Sequence, residues 1–142
     1  MSVLRSKRTE SKVEYIDNAE KLLRHTRTQC MKMPKRWTFF GATHLCELAQ
    51  KVYDNVRAAN SVYIKTANDF KLRRQWLTVA NASVQALIGE LGIFADMLLE
   101  NPETTKWAPN ALDEWGTLLE KEAKLIAAVK SSDSDRFPDF AK

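Results

Sequence analysis

The sequence predicts an all-α fold, an antiparallel four-helix bundle. Three observations lead to it. Apolar residues recur at three- and four-residue spacing through four long segments, and no segment alternates as a strand would. Only four glycines and four prolines occur in 142 residues, too few for a turn-rich β architecture. The connections between the apolar segments are short and polar, which makes consecutive helices antiparallel neighbours. The length suits one domain, and a 44% hydrophobic share gives it enough apolar surface for a core without disulfides or a metal.

The first helix is expected from about Glu10 to Met31. Val13, Ile16, Leu23 and Cys30 fall near one stripe, widened by Tyr15, Ala19 and Leu22. Pro34 ends it, because the residue before a proline is pushed out of the helical region. A second helix is expected from about Phe40 to Tyr63, with Leu45, Leu48, Ala49, Val52, Tyr53 and Val56 on one buried face.

The third helix, about Asn68 to Glu100, is the longest. Leu77, Ala80, Val84, Leu87, Leu91, Phe94 and Leu98 form its main stripe. A second stripe of Trp76, Val79, Ile88, Ala95 and Leu99 flanks the first, so this helix is either central or faces a second partner. Gly89 and Gly92 sit in its middle, where each costs about 0.5–1 kcal/mol relative to Ala. Their missing side chains admit either a neighbouring helix of the bundle or another subunit. Asn101-Pro102 ends the helix.

The fourth helix is expected from about Asn110 to Lys130, with Asn110 as N-cap and Asp113 and Glu114 in the positive first turn. Leu112, Trp115, Leu119, Leu125, Ile126 and Val129 make its face. Residues 1–9 read as a flexible basic arm, 10–131 as the bundle, and 132–142 as a frayed polar C-terminal tail.

Enzyme and metal signatures are absent from the sequence. Gly41, Gly89, Gly92 and Gly116 form neither a GxGxxG nor a P-loop, and there is no GxSxG. His25 and His44 lie in no hydrolase context. The ExxH pairs of di-metal bundles are missing; only the reverse, His44-x-x-Glu47, occurs. The chain therefore reads as non-catalytic, with no cofactor and no bound metal. Its start is polar and basic rather than an apolar leader, and no run approaches the roughly 20 clean apolar residues of a membrane span. A cytoplasmic protein with two reduced cysteines is expected.

Charge is the functional lead. The net charge of +4 is unevenly placed: residues 1–36 hold ten basic and four acidic residues, 37–100 hold six of each, and 101–142 hold six basic and eight acidic. A polyanion should meet the N-terminal quarter first. Basic clusters occur in the arm (Arg5, Lys7, Arg8, Lys12), on the first helix (Lys21, Arg24, Arg27), around the first turn (Lys32, Lys35, Arg36) and at the start of the third helix (Lys71, Arg73, Arg74). Trp37, Phe39 and Phe40 adjoin the first-turn cluster, and core packing is the simpler expectation for them than base stacking.

The segment MPKRWTFFGATHL, Met33 to Leu45, resembles the small four-helix-bundle proteins that include ribosomal-RNA intervening-sequence proteins and the accessory variability proteins of diversity-generating retroelements. The likeness continues through LAQKVYDNVRAAN in the second helix and into the third, spanning about Ala19 to Leu99. It implies a pentameric barrel of bundles with a basic outer surface. Such a protein binds RNA or DNA, associates with a reverse transcriptase and assists template-primed cDNA synthesis without a catalytic site. Carried over by position, the nucleic-acid contacts are Lys35 and Arg36 in the turn, Lys71, Arg73 and Arg74 on the third helix, and Arg24 and Arg27 on the first. The other reading is a helical protein–protein interaction module without nucleic-acid binding. Its interface would be the second stripe of the third helix and the region from Trp107 to Trp115.

Overall fold

The structure, a computed structural model, describes residues 13–142. Four α-helices occur: α1 (Glu14–Met31), α2 (Thr43–Ser61), α3 (Ala67–Glu100) and α4 (Ala108–Arg136). A 3₁₀ turn (Lys35–Trp37) and a single π-helical turn (Thr38–Ala42) join α1 to α2. No strand occurs among the described residues, so the all-α class is found as predicted. The basic arm and the expected start at Glu10 lie outside the described residues.

The helices form a four-helix bundle. Each packs on its neighbours in sequence, and α4 returns to pack on α1. Near one end of the bundle, the Tyr15 hydroxyl at the start of α1 meets Asn60 at the end of α2, 3.2 Å away. The core is continuous, built on Leu22, Leu45, Val52, Val56, Leu77, Val84, Leu87, Leu98, Trp115 and Ile126, all 0–1% exposed. Burying a side chain of this kind contributes about 1.5–3 kcal/mol.

Polar groups inside this core are tied between α1 and α4. Trp115 donates through Nε1 to Thr26 Oγ1 at 2.9 Å, and the Thr26 hydroxyl donates onward to the Leu22 carbonyl at 2.8 Å. His25 donates through Nε2 to the Ala111 carbonyl at 3.0 Å and meets the Trp115 ring edge-on. Asn18 donates to the Leu118 carbonyl and to Glu122 Oε1, each at 3.0 Å.

Both ends of α2 and both ends of α4 differ from the sequence expectation by two residues or more, whereas α3 begins within one residue of it. α2 begins at Thr43 rather than Phe40, because the preceding residues take up the π turn. α3 begins under a capping box: Thr66 Oγ1 accepts from the Asp69 backbone, and Asp69 accepts from the Thr66 backbone. α4 starts at Ala108 with Pro109 in its first turn, so Asn110 is not the cap. It also runs on to Arg136, so residues 132–136 are helix and not frayed tail. Asp133 is the reason: it is 3% exposed and bonded to Arg73 on α3.

α3 is long and apolar enough, by length and composition alone, to cross a membrane, although its apolar run is interrupted by Asn81, Gln85 and Glu90. About a third of its apolar window is buried inside the bundle. Of the remainder, Val79, Ile88 and Ile93 are exposed and Met97 is half-buried against the core.

Candidate nucleic-acid interface

The corner between α1 and α2 is held by one buried aromatic. Pro34 is extended (φ −55°, ψ 141°), and its carbonyl accepts from the Trp37 backbone at 2.9 Å, closing the turn. Trp37 is 5% exposed and packs on Phe94 of α3, with ring centroids 6.2 Å apart. Phe40 also stacks on Phe94, at 6.1 Å and 11°. Gly41 lets α2 approach this ring: a Cβ there would collide with Phe94 Cζ. The turn around Lys35 and Arg36 is therefore fixed by its own hydrophobic anchor.

That anchoring sends cations and an aromatic outward together. Lys35 and Arg36 are exposed, and Lys35 makes no ion pair among the described residues. Arg36 donates to Glu103 at 2.8 Å across an exposed pair, a geometry worth at most about 1 kcal/mol. Phe39 is 93% exposed and Phe40 56% exposed. Core packing thus describes Trp37 but not Phe39, which lies in water beside two cations.

Arg24 and Arg27 lie within two turns of the end of α1 that leads to this corner. Arg24 pairs with Glu20 on its own helix at 3.1 Å. Arg27 donates to Gln50 on α2, which in turn donates to Asp54 at 2.9 Å. Beside Arg27, the Cys30 and Cys46 thiols face each other across α1 and α2. The hydrogen bond from Cys30, helped by the positive charge of Arg27, lowers the Cys46 thiol to about 7, while the same bond and burial push Cys30 up.

The α3 cluster is a different matter. Lys71 is exposed, but Arg73 and Arg74, expected as phosphate contacts, point into the bundle. Arg73 donates through Nε to Asp133 at 2.6 Å and through Nη1 to the Ala59 carbonyl at 3.2 Å. Arg74 donates to the Lys130 carbonyl at 2.7 Å and to Ser134 Oγ at 3.0 Å, with its guanidinium over the Phe70 ring. These two arginines close α3 onto α2 and α4, so they are corrected to structural ties. The carboxylate partner of Arg73 has a signal in the sequence, whereas the Lys130 carbonyl and Ser134 that hold Arg74 have none. Asp133 continues the stripe Leu119, Glu122, Ile126, Val129 at three- and four-residue steps, and a carboxylate on a buried stripe needs a cation, a hydrogen-bond donor or a proton.

Nor are the basic clusters contiguous. Arg36 pairs with Glu103, just beyond α3, whereas Lys71 lies at the opposite end of that helix. At 1.5 Å per residue the two are roughly 40 Å apart. In the region from Trp107 to Trp115, expected as an apolar interface, the apolar side chains turn inward: Ala108, Ala111 and Trp115 are 0–4% exposed, and Trp107 and Leu112 are half-buried against the core. No group of three or more His, Cys, Asp or Glu side chains is placed to hold a metal among the described residues. Compared with known protein families, curated proteins and solved structures, the chain has no match.

Proposed function

We propose that this chain is a non-catalytic nucleic-acid-binding accessory subunit, an antiparallel four-helix bundle that works in the cytoplasm as a homo-oligomer. Its resemblance to accessory variability proteins makes the assisted enzyme a reverse transcriptase in template-primed cDNA synthesis. The observation that carries the reading is the outward corner where Phe39 stands beside Lys35 and Arg36. Cations along one edge neutralise phosphates, and an exposed ring gives an unpaired base a surface to stack on. Arg24 and Arg27 extend the edge along α1, and Lys71 serves a distant point of a long ligand. Arg73 and Arg74 hold the fold and make no contact.

The test is a salt titration of binding to a labelled structured RNA and its DNA equivalent. Four phosphate contacts give a log–log slope of about −3.6, a loss of roughly a hundredfold in affinity between 50 and 200 mM salt. Lys35→Ala with Arg36→Ala flattens the slope by about 1.8. Absence of binding at 50 mM salt overturns the proposal. The second reading, a helical module for protein partners, is favoured by the apolar side chains that α3 turns to solvent, and it predicts association that survives high salt.

A further inference from the structure

The outer face of α3 has no partner within the bundle, and its chemistry is self-complementary. Ile93 is 70% exposed, Leu72 44%, Val79 40% and Trp76 36%. Apolar exposure on that scale along one helix marks an interaction surface. From Gln75 to Ala95, no charged residue lies on the outward strip; Glu90, the one charge in that run, turns sideways to His44 of α2 at 3.7 Å.

The ends of this strip carry opposite charges. Lys71 stands at its start, and Asp96 and Glu100 stand at its end, all exposed. Between them Gln75, Val79, Ala82, Ala86, Gly89 and Ile93 follow one another at alternating steps of four and three, the spacing of a helix–helix seam. The two glycines of this helix are not explained inside the fold, because a Cβ built on Gly89 or Gly92 meets nothing within 4 Å. The bundle itself asks for no missing side chain there.

We infer that α3 pairs with α3 of a second copy of this chain, antiparallel and about a two-fold axis near Gln85 and Ala86. That register lays Lys71 of one copy over Glu100 of the other, twice by symmetry. It sets Ala82 against the other copy's Gly89, where the bare backbone lets the helices come close. It also brings the Leu72–Trp76–Val79 end of one copy over the Ile93 end of the other, next to the exposed Phe40. Antiparallel helices oppose their dipoles favourably. An isologous contact of this kind uses one patch twice and closes on itself. The seam from Lys71 to Glu100 is about 44 Å long at 1.5 Å per residue. A strip about 11 Å wide, one helix with its side chains, covers about 480 Å² per partner, the size of a weak, reversible interface rather than an obligate one. A lipid surface fits the same face less well, because the strip carries Gln75, Thr78 and Gln85 and ends in charges of both signs.

The pairing leaves the Lys35–Phe39 corner free, engages Lys71 instead of a phosphate, and replaces, with a two-fold contact, the five-membered ring that the resemblance implies. Sedimentation at low salt, without nucleic acid, should give a mass twice the 16.3 kDa of one chain. Ala86→Glu places two like charges at the axis and should raise the dissociation constant roughly a hundredfold or more, with the helical circular-dichroism signal unchanged. Lys71→Glu or Glu100→Lys alone should weaken pairing by on the order of tenfold, and the double swap should return it to within about threefold of the parent. A monomeric parent protein, a pentamer, or charge swaps that fail to rescue each other would overturn the inference. So would a monomer that co-sediments with phosphatidylcholine vesicles through the same face.

Discussion

Arg73 of α3 and Asp133 of α4 form a nearly buried ion pair, Nε to Oδ2 at 2.6 Å, with side chains 14% and 4% exposed. The pair shows why the last turns of α4 are part of the bundle. Removing the cation leaves a carboxylate stranded in the core. Arg73→Ala is therefore expected to cost about 3–5 kcal/mol in urea unfolding, while Lys71→Ala, on the same helix but exposed, stays within about 0.5 kcal/mol. Equal effects of the two variants would refute the assignment of Arg73 as a structural tie.

Glu122 predicts a pH dependence. It is fully buried, and burial pushes its carboxyl up to about 8, opposed by the hydrogen bond from Asn18 and the charge of Lys121. The raised value means that the folded chain holds a proton the unfolded chain has released between about pH 4.5 and 8. Stability contributed at this site is present below the lower value and is lost as pH rises toward the upper one, with a limiting slope of about 1.4 kcal/mol per pH unit. Glu122→Gln keeps an acceptor for Asn18 and has nothing to ionise. Denaturation midpoints measured across this range should fall for the parent protein and stay level for the variant.

The two cysteines predict a reactivity pattern. Iodoacetamide should modify Cys46 ahead of Cys30, with a rate reaching half its maximum near pH 7. Cys30→Ala removes the hydrogen bond that lowers Cys46 and should move the midpoint upward. An unchanged midpoint would mean that Arg27 alone sets the thiol.

The glycines should separate in sign. Gly41→Ala forces the Phe94 ring aside and is expected to destabilise by about 1–3 kcal/mol. Gly89→Ala meets open space within the chain, and at high dilution it should stabilise by about 0.5–1 kcal/mol through helix propensity. At concentrations where the chain self-associates, the same methyl should weaken the association. Thermal unfolding over a hundredfold range of concentration reads both effects.

Much of this fold was legible from spacing. The main stripe of α3 is buried at every position from Leu77 to Leu98, and the Pro34 break and the Asn101-Pro102 stop fall where expected. The start of α3 falls within one residue of the expected Asn68, and the Thr66–Asp69 capping box that fixes it went unread in the spacing. Less legible was the fate of individual arginines. Arg73 and Arg74 adjoin Lys71 in sequence, but a step of 100° per residue turns them to another face, and only the position of α4 shows what waits there. Nor does spacing distinguish Trp37 from Phe39. Both are aromatic and two residues apart, and the tight turn sends one inward and the other out.

The bond from Asn18 to Leu118 and Glu122 joins the first helix to the last across about a hundred residues of chain. Synthesis runs from the N-terminus at about 5–20 residues per second. α1 thus leaves the ribosome some 5–20 s before the helix that completes it. Throughout that interval the α4 partners of Asn18 and Thr26 do not yet exist. The nascent chain can close α1, α2 and α3 on one another, but the side that α4 will cover stays open until α4 itself has been made.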